Sequence, residues 1–139
     1  MYKKRVLFLC TGNSARSQMA EGFLKALAGE KFEVFSAGVM PIKVSPLAIK
    51  VMQEVGVDIS KEYSKSVTKF SNQKFDYVIT LCDSAKQTCP VFGGQYKNMH
   101  WSIEDPNQAF GTQGEQLDFF RKIRDEIRAY IVKFIGSEK

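Results

Sequence analysis

Short apolar runs alternate along this chain with longer stretches whose apolar residues recur every three or four positions. Val6-Leu7-Phe8-Leu9 predicts a strand over residues 5 to 10, and Phe32-Glu-Val-Phe-Ser36 predicts a second. Phe75 to Leu81 predicts a third strand, and residues 98 to 101, beyond the Gly93-Gly94 loop, a fourth. Ser17 to Ala28 reads as a helix, and Pro46 to Val55 as another, opened by Ser45 as N-cap and stopped by Gly56. A short helix is expected at Ser66 to Phe70. Leu117, Phe120, Ile123, Ile127, Tyr130, Ile131 and Phe134 fall at helical spacing, which predicts a long amphipathic final helix that buries all of them on the sheet. The alternation implies an α/β fold: one domain over residues 1–139, a three-layer sandwich with a central four-stranded parallel sheet flanked by helices. Such sheets bind ligands at the C-terminal ends of their strands.

The end of the first strand carries the most specific chemistry. Cys10-Thr11-Gly12-Asn13-Ser14-Ala15-Arg16-Ser17 sets a cysteine at a strand end, wraps a loop around it and opens a helix. A tetrahedral oxyanion needs donors converging from several directions. A tight loop supplies them as backbone N–H groups where residues such as Gly12 and Asn13 take unusual dihedrals. The helix N-terminus adds partial positive charge, and Arg16 adds a planar fork that can hold two oxygens. The same surroundings favour a thiolate, which is the nucleophilic form of a residue whose ordinary pKa is about 8.5. Cys10 is therefore read as nucleophile, Arg16 as oxyanion clamp and Ser17 as thiolate stabiliser. The alternative, a merely buried strand-end cysteine, leaves the order of strand, glycine turn, arginine and helix unexplained.

Cys82 and Cys89 follow the third predicted strand, separated by the polar segment Asp83-Ser-Ala-Lys-Gln-Thr and followed by Pro90. That segment is expected to loop or to form a short helix, and to change shape as a disulfide forms and breaks. Three cysteines without a secretory signal fit transient, catalytic disulfides better than a structural framework, which would leave one unpaired. A zinc site does not match this spacing with His100 as the one histidine. Two unconnected buried cysteines remain as the bland alternative.

Cys10-Thr-Gly-Asn-Ser followed by Arg16-Ser-Gln-Met-Ala-Glu-Gly22 resembles the Cys-x5-Arg loop of the low-molecular-weight protein tyrosine phosphatase superfamily. Within it, the stretch is more similar to the thioredoxin-coupled arsenate reductases than to the phosphatases, and the resemblance runs from the first strand to the last helix. It implies that residues Thr11 to Ser17 hold the oxyanion and stabilise the thiolate. It further implies a relay in which Cys10 attacks arsenate, Cys82 forms a Cys10–Cys82 disulfide as arsenite leaves, and Cys89 moves the oxidation to Cys82–Cys89. Thioredoxin would then reduce that pair, with no tightly bound cofactor, in a monomer. Phosphate and sulfate would compete with arsenate.

Asp105-Pro106 matches the place where this superfamily carries its general acid, with Glu104 as runner-up. An Asp-Pro pair alone is a turn signal. The phosphatases follow it with tyrosines that frame an aromatic substrate; here Asn107-Gln-Ala-Phe-Gly111 follows. Many relatives carry a further cysteine where this chain has Ala15. Some related reductases bind potassium through residues matching Asn13, Glu21 and Ser36 and an acidic residue where this chain has Lys65. A lysine cannot ligate a cation, so that site is expected to be absent or altered. His100 and Trp101 are expected to serve packing.

A net charge of +5 modestly favours anions but forms no basic stripe with interleaved aromatics, which argues against nucleic acid. Lys3-Lys-Arg5 reads as a solvated lead into the first strand. No apolar stretch approaches a membrane span or a signal-peptide core, so a cytoplasmic setting is expected. Two other functions stay open: a small phosphatase using Cys10, Arg16 and Asp105 alone, and a non-enzymatic oxyanion or redox sensor.

Overall fold

The computed structural model describes residues 3–82 and 92–138. Its strands are β1 (Lys4–Cys10), β2 (Phe32–Gly38), β3 (Tyr77–Thr80) and β4 (Lys97–His100), and its α-helices are α1 (Arg16–Ala28), α2 (Pro46–Gln53) and α3 (Gln113–Ser137). Single 3-10 turns occupy Val67–Phe70, where the short helix is expected, and Pro106–Gln108. The strands form one parallel sheet in the order β2-β1-β3-β4, so β1 is central. This is the α/β architecture expected. The segment from Asp83 to Thr88, with Cys89 and Pro90, lies outside the described residues.

β1 is buried from Val6 to Cys10 because both faces are covered, as its unbroken apolar run requires. Val6 stands level with Val34 and Tyr77. On the same face Trp101 packs against Phe8 and Phe134, and Phe134 also meets Phe32 and Tyr77. The opposite face carries Phe35, Phe70, Phe75 and Phe92 in edge-to-face contacts. The Arg5 guanidinium lies over Phe35 and Phe75, 4.7 and 5.0 Å from their ring centres.

Local signals mark the helix ends, although α2 stops at Gln53, two residues short of the Val55 expected. The Ser45 hydroxyl accepts the Ala48 N–H at 3.3 Å, and Gly56 takes φ +80° just beyond α2. Thr112 and Glu115 form a reciprocal capping box at the start of α3. β3 keeps only Tyr77–Thr80 of the expected Phe75 to Leu81, and further expectations need correction. β2 runs two residues further than its apolar pattern, through Ala37 and Gly38, because both stay paired with β1 at Leu9 and Cys10. Tyr130 is not core: it is 38% exposed, although its ring stacks on Trp101.

α2 is fastened to α3 by an arginine clamp. Arg124 donates to the Val51 carbonyl at 3.0 Å and to Glu54 at 2.9 Å, while Arg121 meets Glu54 at 2.8 Å. The hydrogen bond from Arg121, reinforced by Arg124, holds the Glu54 carboxyl down to about 2 from its ordinary 4.5. A depressed carboxyl contributes stability that is present above its unfolded value and lost as pH falls through the folded one. Glu54→Gln is therefore expected to melt below wild type at pH 6, with the gap closing as pH falls from about 4.5 toward 2. Solvent exposure keeps that gap modest. Paired thermal melts across this range check it; a gap that persists unchanged at pH 2 contradicts it.

Candidate active site

β1 ends at Cys10 in the middle of the sheet, and the chain turns through Thr11 to Ala15 before α1 begins. The turn is held from behind by the segment after β2. N–H groups of Val39, Met40, Ile42 and Ser45 donate to the carbonyls of Cys10, Thr11, Gly12 and Ser14 at 2.9 to 3.2 Å. A peptide's carbonyl and N–H point opposite ways, so drawing these carbonyls outward turns the loop's N–H groups inward. Asn13 takes φ +49°, the left-handed region that asparagine tolerates. Ala15, at the N-cap of α1, offers no side-chain oxygen, so the helix terminus is left to the loop and whatever it holds.

Gly38 makes the close approach possible. A Cβ there would lie 2.7 Å from the Asn13 nitrogen and the Thr11 carbonyl oxygen. The sequence reading gave Gly38 no role, since its partners lie some 25 residues earlier in the chain.

Asn13 and Ser17 form the wall behind the thiol. The Cys10 sulfur and Ser17 Oγ are 2.8 Å apart, both buried. Asn13 Oδ1 accepts the Lys65 backbone N–H at 2.9 Å and Gln18 Nε2 at 3.0 Å, which fixes the amide's orientation. Its Nδ2 therefore faces away and donates to Ser17 Oγ at 2.8 Å and Ser36 Oγ at 2.9 Å. With Ser17 already accepting from Asn13, its own proton is free to point at the Cys10 sulfur, the orientation that suits a thiolate.

Arg16 closes the front. It is 7% exposed, donates from Nη1 to the Ile103 carbonyl at 3.0 Å, and sets Nη2 3.8 Å from Asp105. Asp105 caps the 3-10 turn by accepting the Asn107 N–H at 2.9 Å, and Asn107 reaches back to the Ser14 hydroxyl at 3.4 Å. Cys10, Thr11, Gly12, Ser14, Ala15, Arg16 and Asp105 thus surround one cavity of about 280 Å³. Its rim adds Met40, Ile42 and Asn107, which the sequence reading did not single out. Glu104 lies with Phe110 and Phe119 on a neighbouring cavity that Asp105 also borders. His100 hydrogen-bonds Thr80 and Trp101 is buried, consistent with packing.

Cys82 stands just beyond β3, whose Thr80 pairs with Leu9 of β1. Its sulfur is 3.1 Å from the Thr11 hydroxyl, next in the chain to Cys10. Cys10 and Cys82 are not joined in a disulfide. Cys89 lies outside the described residues.

The residues that would match a potassium site do not fit one here. Asn13, Glu21 and Ser36 come together, but the Glu21 carboxylate accepts from the Lys25 ammonium and the Ser36 hydroxyl. Lys65 turns its ammonium to the Tyr63 carbonyl and ring, and it offers no carboxylate to a cation.

Residues 5–138 match the family model described as low molecular weight phosphotyrosine protein phosphatase. A protein named arsenate reductase from Halalkalibacterium halodurans is 44% identical over 139 residues, the whole of both chains. A solved arsenate reductase in its phosphate-binding state superposes with a TM-score of 0.84 at 37% identity, covering 98% of this chain and 99% of that one. A thioredoxin-dependent arsenate reductase from Corynebacterium glutamicum superposes with a TM-score of 0.77 at 31% identity, over 97% of this chain and 61% of its own. With a thiol, an arginine and an N–H-lined loop at the end of its central strand, and with full-length relatives of this kind, the chain belongs to the low molecular weight phosphotyrosine protein phosphatase family, among its arsenate reductases.

Proposed function

We propose that this chain reduces arsenate to arsenite by a three-cysteine relay regenerated by thioredoxin. The observation that carries the reading is a second thiol, Cys82, hydrogen-bonded to Thr11 at the edge of the loop around Cys10. Hydrolysing a phosphate ester has no use for a second thiol there. Reduction requires one, because moving two electrons to arsenic oxidises two sulfurs.

In the proposed cycle the Cys10 thiolate attacks arsenic(V) and displaces one oxygen, which leaves as water after taking a proton from Asp105. Arg16 and the loop N–H groups hold the remaining oxygens. Cys82 then attacks the Cys10 sulfur. The S–As bond breaks with its electron pair left on arsenic, giving arsenite and a Cys10–Cys82 disulfide. Cys89 attacks Cys82 in turn, releasing the Cys10 thiolate and leaving Cys82–Cys89. A thioredoxin dithiol, at about −270 mV, supplies the two electrons that restore this pair. The reductase named thioredoxin-dependent among the structural relatives supports that last step. The setting that supplies such a reductant is the cytoplasm.

Arsenite formed per protein molecule, with thioredoxin, thioredoxin reductase and NADPH, tests the cycle. Many equivalents are expected. Hydrolysis of a phosphate ester run in parallel, with no arsenite formed from arsenate, would make the protein a phosphatase instead.

A further inference from the structure

Four of the five carbonyls from Cys10 to Ser14 are drawn outward by backbone N–H groups of the segment after β2. The fifth, that of Asn13, is held by two side chains instead: Ser64 Oγ donates to it at 2.8 Å and Gln18 Nε2 at 3.2 Å. Gln18 stands in the first turn of α1 and is fully buried. In the sequence it is an ordinary helix former. Burial changes what its amide does, since a polar group taken out of water must find its partners inside the fold.

Gln18 Nε2 reaches three acceptors: the Asn13 carbonyl at 3.2 Å, Asn13 Oδ1 at 3.0 Å and the Tyr63 carbonyl at 3.0 Å. An amide nitrogen carries two hydrogens, so one of them is shared between acceptors. The Lys65 N–H donates to Asn13 Oδ1 and so marks that atom as oxygen. Reversing the Gln18 amide would then set its oxygen against three others that cannot donate, which fixes the nitrogen where it stands. Gln18 Oε1 has no partner among the described residues, so the hydrogen bonds of this side chain all go to Asn13 and Tyr63.

We infer that Gln18 is a positioning residue for the oxyanion loop: it clasps both carbonyls of Asn13 and, with Ser64, holds the Ser14 N–H toward the substrate. The inference rests on the reading of this loop as the seat of arsenate. The Asn13 carbonyl and the Ser14 N–H belong to one planar peptide and point opposite ways, so a carbonyl fixed behind the loop fixes the N–H in front of it. Ser14 lines the cavity beside Cys10. Asn13 needs this hold more than its neighbours, because its φ of +49° is unfavourable for a residue with a Cβ. The bond to Oδ1 ties the side chain of Asn13 to its main chain and keeps Nδ2 aimed at Ser17. The Tyr63 carbonyl anchors the clasp from the far side, in the same segment whose Ser64 hydroxyl and Lys65 N–H also meet Asn13.

The test uses inorganic phosphate, which shares the shape of arsenate but is not reduced, and reads the phosphate concentration that halves the rate of Cys10 alkylation by iodoacetamide in the full chain. Gln18→Met keeps the length of the side chain and loses the donor. It is expected to need about five- to tenfold more phosphate, a fraction of the loss that follows removal of a whole oxyanion donor, because Ser64 still holds the carbonyl. Ser64→Ala alone is expected to cost about two- to threefold. With both donors gone the carbonyl is released, so the double variant should lose about threefold or more beyond the product of the two single losses. A methionine variant protected at the wild-type phosphate concentration overturns the inference. So does a double variant whose loss equals that product, since a glutamine that merely fills space would not couple to Ser64. Should Gln18→Met fail to fold, Gln18→Asn, whose shorter side chain falls away from Asn13, gives the same comparison. Protection requires no reduction, so a wild type that phosphate protects but that yields no arsenite from arsenate would defeat the functional reading and leave the clasp standing.

Discussion

A Cys89→Ser protein, reduced beforehand and given arsenate with the thioredoxin system, is expected to release one arsenite per molecule and then stop. Cys10 and Cys82 suffice for the first reduction, since together they supply two electrons. The product is then a Cys10–Cys82 disulfide between two residues that are buried while still unjoined, Cys10 at 2% exposed and Cys82 at 7%. An external dithiol must approach the attacked sulfur in line. Transfer of the oxidation to Cys89 removes that obstacle and frees Cys10 for another substrate. Cys82→Ser should do worse, forming little or no arsenite, because Cys82 is the thiol that the fold sets beside the loop around Cys10. Arsenite quantified against protein concentration, with the trapped disulfide mapped by mass spectrometry, separates the two variants. Repeated turnover by Cys89→Ser would remove Cys89 from the cycle and leave reduction to an external thiol at Cys10–Cys82.

The features legible in the sequence are those whose causes are local. The apolar run of β1, Ser45 with Pro46 at the start of α2, Gly56 at its end and the spacing of α3 each reflect neighbours within one or two helical turns. The loop was legible for the same reason: Cys10, Asn13, Arg16 and Ser17 act together within eight residues. Features made by contact across the fold were not. Gly38 looks like any strand-end glycine until β2 is laid against Asn13 and Thr11. Met40 and Ile42 carry no local signal, yet their backbone bonds to Thr11 and Gly12 bring them to the cavity rim. Tyr130 satisfies the helical period of α3, but period alone cannot distinguish the edge of a buried stripe from its centre.

Arg16→Lys is the substitution that separates charge from geometry in the loop, and it is expected to lower kcat/KM for arsenate by about 10²- to 10³-fold, the loss typical of one oxyanion-stabilising donor. Lysine keeps the positive charge, so an effect of this size cannot come from charge alone. The guanidinium does two things at once: Nη1 is spent on the Ile103 carbonyl at 3.0 Å, and the rest of the fork stays beside Asp105 and the cavity. An ammonium is a point donor without a rigid fork, so binding Ile103 would withdraw it from the oxyanion, and facing the oxyanion would leave a buried carbonyl unpaired. It would also loosen the segment carrying Asp105, which meets Arg16 at 3.8 Å. Both the hold on arsenate and the delivery of a proton to its departing oxygen should suffer, so kcat should fall while KM rises. Phosphate, which cannot be reduced, isolates the binding part: its protection of Cys10 from alkylation should weaken in the lysine variant. If Arg16→Lys turns over arsenate within threefold of wild type, the planar fork is dispensable, and the loop N–H groups with the terminus of α1 must hold the oxyanion themselves.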